Sequence, residues 1–305
     1  MIRLVVASVL ACGLAAHGYK KRSLNRSGAL AAVVVGFISF AASYRMGTIL
    51  IVFYYTGSKM TKVRGETKKR LEYNYKEAGQ RDMWQVLTNS VLATIVAATF
   101  YFLVGEDGCD VNFRSDAKDD YFQRVNGLSS YLWTLYVAHY ACANGDTWAS
   151  ELGVLSRSNP RMITTLCLKE VPRGTNGGVS LEGTVASGLG GALIGLTFYI
   201  CSIAMDFSLG TRQYPMIVAG LCSGLIGSLV DSLLGALLQA TYFDVGSKQI
   251  VRVEDFQSLK RVKGSIKRIQ GVDILSNEAV NFFAIAITMT LSCSYTPAIF
   301  KLFAR

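Results

Sequence analysis

Two carboxylates and two hydroxyls crowd the stretch Asn144-Gly145-Asp146-Thr147-Trp148-Ala149-Ser150-Glu151, at the end of a long apolar segment. A carboxylate beside hydrocarbon is costly unless it faces a cation, a partner or a polar cavity. On a helix, Asp146 shares a face with Ser150, and Thr147 shares one with Glu151. Magnesium takes one or two protein carboxylates and completes its shell with water and substrate phosphates, so this stretch reads as half of a cation site. The plainer reading makes Asp146 a helix N-cap after Asn144-Gly145, with Thr147 and Ser150 satisfying local backbone groups. That reading leaves Glu151 unexplained.

A second acid, Asp231, lies inside a glycine-rich apolar run, one turn after Gly227 and Ser228 and one turn before Gly235. No basic residue stands three or four positions away to neutralise it, and an unpaired aspartate at membrane depth is a functional-site hypothesis by default. Together, Asp146 and Asp231 could hold one cation. Gly174-Thr175-Asn176-Gly177-Gly178 leads directly into another apolar run. Its glycines would let backbone N–H groups approach an anion and the helix start behind it adds a positive dipole end, although the Gly-Lys-Ser/Thr element of a Walker A loop is missing. A simple flexible turn explains the same residues. Lys59, Lys62, Arg64, Lys68, Lys69 and Arg70 form a basic cluster in which Lys59 and Lys62 stand nearest the apolar edge. Such clusters report topology or bind anionic headgroups, and one of these lysines could neutralise a phosphate. Asn277-Glu278 reads as a capping arrangement, or else as a third carboxylate donor.

The elements that must position these residues are membrane helices. Of the 305 residues, 51% are hydrophobic and 17% charged, and mean hydropathy is +0.32. Apolar runs close to the ~20 residues that cross a bilayer recur along the chain. The expected fold is therefore all-α, a single polytopic domain over residues 1–305 with about seven or eight transmembrane helices, near 4–16, 28–44, 46–56, 84–104, 128–143, 181–205, 215–240 and 279–298. The pair 28–56 reads as a hairpin or re-entrant element. The first run resembles a secretory signal, but its positive charge comes after it, which is the wrong side for a cleaved one. Threading these spans places most of the 31 Lys and Arg residues in the loops 18–27, 58–82, 144–180 and 240–278. The positive-inside rule makes those loops cytosolic, and every motif with chemistry in it falls on that face. Seven scattered cysteines without a CxxC pair argue against a disulfide framework or zinc site, and no basic patch carries an aromatic platform for nucleic acid. The expected membrane is an intracellular one such as the endoplasmic reticulum.

Several runs together carry a family resemblance: residues 57–70, Gly79-Gln80-Arg81, Gly145 to Glu151, Gly174 to Gly178, Gly227 to Ser232 and Asn277-Glu278-Ala279-Val280-Asn281. Across about residues 28 to 300 the chain resembles the transmembrane protein 19 family, itself similar to the plant phytyl-phosphate kinases, which convert an isoprenoid alcohol monophosphate to the diphosphate. The resemblance implies phosphoryl transfer from a nucleoside triphosphate, CTP or ATP, to a lipid monophosphate, with magnesium. Such transfer asks a protein mainly for positioning and charge neutralisation. On that footing Asp146, Glu151 and Asp231 are the expected magnesium ligands. Lys59 and Lys62 are the expected phosphate contacts, with Asp146, Asp231 and Lys59 nearest the chemistry, and Gly174 to Gly178 form the cradle. A transporter or flippase of anionic lipids would use the same basic face and an intramembrane aspartate, and a scaffold would use the small-residue spans alone.

Overall fold

The computed structural model describes residues 2–63, 65, 68, 71, 73, 80–105, 110–113, 120–165, 169–251, 256 and 265–303, with the side chains of 120–124 set aside. Arg64, Lys69, Arg70 and Gly79 of the motifs above lie outside those residues.

The chain is an α-helical bundle: α1 (Ile2–Lys20), α2 (Arg26–Ala42), α3 (Tyr44–Met60), α4 (Met83–Thr88), α5 (Val91–Leu103), α6 (Asp120–Gly153), α7 (Leu181–Met205), α8 (Pro215–Leu238) and α9 (Asn277–Phe303). Among the described residues, four stretches are long and apolar enough to cross a bilayer, Ile2–Lys20, Leu181–Met205, Phe207–Leu238 and Asn277–Phe303, while Arg26–Ala42 and Val91–Leu103 are shorter apolar helices. Large apolar side chains such as Val9, Leu30, Ile95, Phe102, Leu189 and Leu237 remain on the outside. Water would penalise that surface, and hydrocarbon does not.

The apolar runs expected at 181–205, 215–240 and 279–298 correspond closely to α7, α8 and α9. Two other expectations need correction. The span expected at 84–104 is broken into α4 and α5 by a turn at Asn89-Ser90, where the Asn89 carbonyl takes a hydrogen bond with His139 Nε2 at 2.9 Å. The pair expected at 28–44 and 46–56 is present as α2 and α3, divided at one extended residue, Ser43, whose hydroxyl accepts from Arg45 N at 3.0 Å and so starts α3. Most important, α6 does not stop at residue 143; it continues through Asn144 to Gly153, so the expected loop at 144–180 begins ten residues late. The 240–278 segment carries β3 (Thr241–Asp244), β4 (Gln249–Val251) and β5 (Ile266–Gln270), an antiparallel sheet of order β4-β3-β5. A two-residue ladder joins β1 (Arg161–Met162) to β2 (Gly178–Val179).

Helix α6 is the axis of the bundle. Its Trp133, Tyr136 and Tyr140 are fully enclosed together with Phe100, Phe198, Met46 and Ile49. Arg45, 1% exposed, plugs one end of this core: Nη1 donates to Asp110 Oδ1 at 2.7 Å and Ser202 Oγ at 3.0 Å, and the guanidinium lies 4.4 Å from the Trp133 ring centroid. Burial pushes the Asp110 carboxyl above its ordinary value, while the bond from Arg45 holds it back. Removing one partner of such a pair strands the other's charge. Arg45→Ala is therefore expected to cost about 3–5 kcal/mol, read as an earlier thermal unfolding onset in detergent, with Arg45→Lys intermediate because it keeps the charge but loses the planar stacking.

Candidate functional site

Helices α6, α7 and α8 cross where none of them has a side chain. A Cβ on Gly145 would lie 2.7 Å from Gly224 Cα and 2.7 Å from the Ser187 carbonyl oxygen, and a Cβ on Gly191 would meet the Gly220 and Gly224 backbone. Gly227 leaves room for the Cys142 side chain in the same way. This is the use that small residues serve in membrane bundles, where packing rather than water exclusion holds helices together. The crossing fixes the positions of two acids. Asp146 comes directly after Gly145, and Asp231 is one turn past Gly227.

Both aspartates are half-buried at this crossing and lie within electrostatic range of one another. Neither forms an ion pair among the described residues. Ser228 of α8 stands near the Asp146 carboxylate. From α9, the Asn281 side-chain amide donates to Asp231 Oδ2 at 3.0 Å and to the Asn277 carbonyl at 3.2 Å. Asp146, Asp231, Asn281, Asn89 and Thr147 line a chamber of about 20 Å³. A single water needs roughly 10–15 Å³ on that measure, so the chamber is ion-sized. Asp146 is thus a residue of the helix interior and not an N-cap, and Thr147 Oγ1 donates back to the Ala143 carbonyl within the same continuous helix.

Beside the chamber opens a cavity of about 1030 Å³ whose walls include Asp146, Glu151, Asp231, Asn277, Glu278 and all five residues from Gly174 to Gly178. The motifs that the basic-loop count gathers on one face therefore meet around one space. Toward α1, α2 and α3 the same cavity is lined by Ala11, Leu14, Val35, Leu50, Ile51 and Phe53, all apolar.

The Gly174–Gly178 turn contributes less backbone than a cradle would. Thr175 N donates to the Pro172 carbonyl at 3.2 Å, Asn176 N to Thr241 Oγ1 at 3.2 Å and Gly178 N to the Thr175 carbonyl at 3.0 Å. Three of its donors are thereby engaged with the protein itself. The turn also packs against α8, where Gly177, at φ +79°, sits so tightly on Ala236 and the Ser232 carbonyl that a Cβ would collide.

Charge is placed differently from the sequence expectation. Lys59 and Lys62 are exposed and lie outside the cavity wall, whereas Lys68 is 4% exposed. The Lys68 ammonium pairs with Glu151 and donates to the Met60 and Thr61 carbonyls at 3.3 Å each, closing the C-terminal end of α3. The Glu151 carboxylate, expected above as a magnesium ligand, is thus engaged by a lysine, and among the described residues no group of three acids, histidines or cysteines forms. Glu151→Gln is accordingly expected to lower the thermal unfolding midpoint in detergent, since it strands Lys68, which is 4% exposed. Sequence reasoning assigns no role to Arg81, Asn281, Ser228 or Asn89. Signals for two of them exist: Arg81 closes the Gly79-Gln80-Arg81 run, and Asn281 is one turn beyond Asn277.

A family profile described as integral membrane protein DUF92 matches residues 9–289. Protein PGR of Arabidopsis thaliana is 38% identical over 305 positions, covering 95% of each chain. An uncharacterised membrane protein of Methanocaldococcus jannaschii is 29% identical, over 66% of this chain and 72% of its own. Protein VTE6, chloroplastic, of Arabidopsis thaliana is 28% identical, over 53% of this chain and 43% of its own. No solved structure matches.

Proposed function

The chain belongs to the DUF92 family of integral membrane proteins, and from that premise we propose that it is a membrane-embedded kinase that transfers a nucleotide's terminal phosphoryl group to a lipid monophosphate. The observation that carries the reading is the two-ended cavity, with Asp146 and Asp231 at its polar end and an apolar arm between α1, α2 and α3. An isoprenoid chain suits such an arm, and the motif resemblance to the phytyl-phosphate kinases points the same way.

In this reaction an oxygen of the lipid phosphate attacks the γ-phosphorus, the bond from that phosphorus to its bridging oxygen breaks, and the nucleoside diphosphate leaves. Asp146 and Asp231 would hold magnesium, and the donor set fits it: two carboxylates, the usual protein share, on an ion-sized chamber that shares both acids with the larger cavity. Bound there, magnesium supplies charge neutralisation for the transferring group. Asn281 would orient Asp231 through its side-chain amide. The nucleotide is CTP or ATP, and the membrane an intracellular one such as the endoplasmic reticulum.

Purified protein given phytyl, farnesyl or geranylgeranyl monophosphate, magnesium and labelled CTP or ATP is expected to yield the labelled diphosphate. No product with either nucleotide, alongside lipid translocation in proteoliposomes, would overturn the kinase in favour of a flippase.

A further inference from the structure

Arg81 is a cation that the fold holds firmly in place. Its backbone N donates to the Ser23 carbonyl at 3.0 Å and its carbonyl accepts from Asn25 N at 3.1 Å, so the turn between α1 and α2 grips it from both sides. Gly28 sits so close to the Arg81 carbonyl that any side chain there would collide. The guanidinium then lies in the cavity wall, half-buried. It donates to Ser58 Oγ at 3.3 Å and forms no ion pair among the described residues. Burial pushes it below its ordinary value, with Tyr54 and Glu151 acting in the opposite sense. A half-buried guanidinium with no ion pair among the described residues retains donors for a planar, multidentate partner such as a phosphate.

Its position relates both ends of the cavity. A point one carbon beyond Gly57 lies 3.8 Å from Arg81 Nη2 and 3.7 Å from Thr147 Cγ2, so the guanidinium stands beside the turn that carries Asp146. In the other direction, the apolar lining residues lie deeper on all three neighbouring helices. Leu50 is about two turns below Gly57 on α3, Gly36 about two turns beyond Gly28 on α2, and Ala11 about two turns from Gly18 on α1, each on the order of 10 Å of helix rise. The arm closes where Gly36 packs on Ala11, 3.2 Å from the position a Cβ would take to the Ala11 methyl.

We infer that Arg81 binds the phosphate of the acceptor lipid and that this lipid's single apolar chain lies between α1, α2 and α3. The assignment of that phosphate as the acceptor rests on the kinase reading; the binding itself does not. It gives the phosphate-holding role to Arg81 in place of the exposed Lys59 and Lys62.

The test is photolabelling of the full-length protein in detergent by a diazirine-tagged farnesyl monophosphate, without nucleotide or magnesium. Labelled peptides are expected to contain residues of α1, α2 or α3. Arg81→Gln should lower labelling at least tenfold, Arg81→Lys should keep part of it, and inorganic phosphate in large excess should compete only weakly because it lacks the chain. Ala32→Trp, which fills the arm and leaves Arg81 in place, should also abolish labelling there while thermal unfolding stays near that of the unsubstituted protein. Label elsewhere, or equal label in Arg81→Gln, overturns the inference. Equal competition by inorganic phosphate overturns the lipid assignment. Failure of the kinase assay with intact labelling would remove the reaction and leave the site.

Discussion

Asp146→Asn and Asp231→Asn are each expected to lower diphosphate formation by roughly 10²–10³-fold, the size of effect seen when one charge-stabilising group is removed from a preorganised site. The substitution keeps the shape of the side chain and the chamber but halves the negative charge available to a cation. Both residues lie on the same small space yet come from different helices, so the effects are expected not to add: the double variant should be scarcely worse than either single one, as for groups that act as a unit. The measurement is initial-rate labelling of the lipid at saturating magnesium, with detergent elution profiles to show that the variants fold. Asn281→Ala, which removes only the donor that orients Asp231, should fall between the single variants and the unsubstituted protein. An Asp231→Asn protein with unchanged turnover would remove α8 from the chemistry.

Gly224→Leu is expected to leave almost no folded protein. A Cβ at Gly224 already collides with the Ser187 carbonyl and the Gly191 backbone, both parts of rigid helices, and overpacking by even a few methylenes costs about 1–3 kcal/mol or more. Gly224→Ala should unfold early and lose activity in proportion, because forcing α7 away from α8 loosens the three-helix crossing that brings Asp146 and Asp231 together. Gly13→Ala provides the comparison, since nothing lies within 4 Å of a Cβ there. The readout is the yield of monodisperse protein together with its thermal unfolding midpoint.

Residue type and spacing are enough to find α7, α8 and α9, because long apolar runs, in α7 and α8 with small residues recurring about every fourth position, have one ready interpretation in a bilayer. They also single out Asp231, whose lack of a basic neighbour on its own helix is a local property. The end of α6 is misread for a physical reason: Gly145 looks like a helix stop in isolation, whereas here it is the residue that lets Gly224 and Ser187 approach. Which basic residue turns inward is equally hidden. Lys59, Lys62, Lys68 and Arg81 are chemically alike in sequence. Only the folded chain buries Lys68 against Glu151 and leads Arg81 back to the α1–α2 turn. The short strands of 241–270 carry too few residues for an alternating pattern to stand out.

The glycine crossing also sets an order of events during synthesis. Helix α6 emerges from the ribosome before α7 and well before α8, so the surface of Gly145 and the carboxylate of Asp146 enter the membrane without the neighbours that later enclose them. A nascent chain halted before residue 215 therefore carries the Asp146 carboxylate without Ser228 and Asp231 beside it.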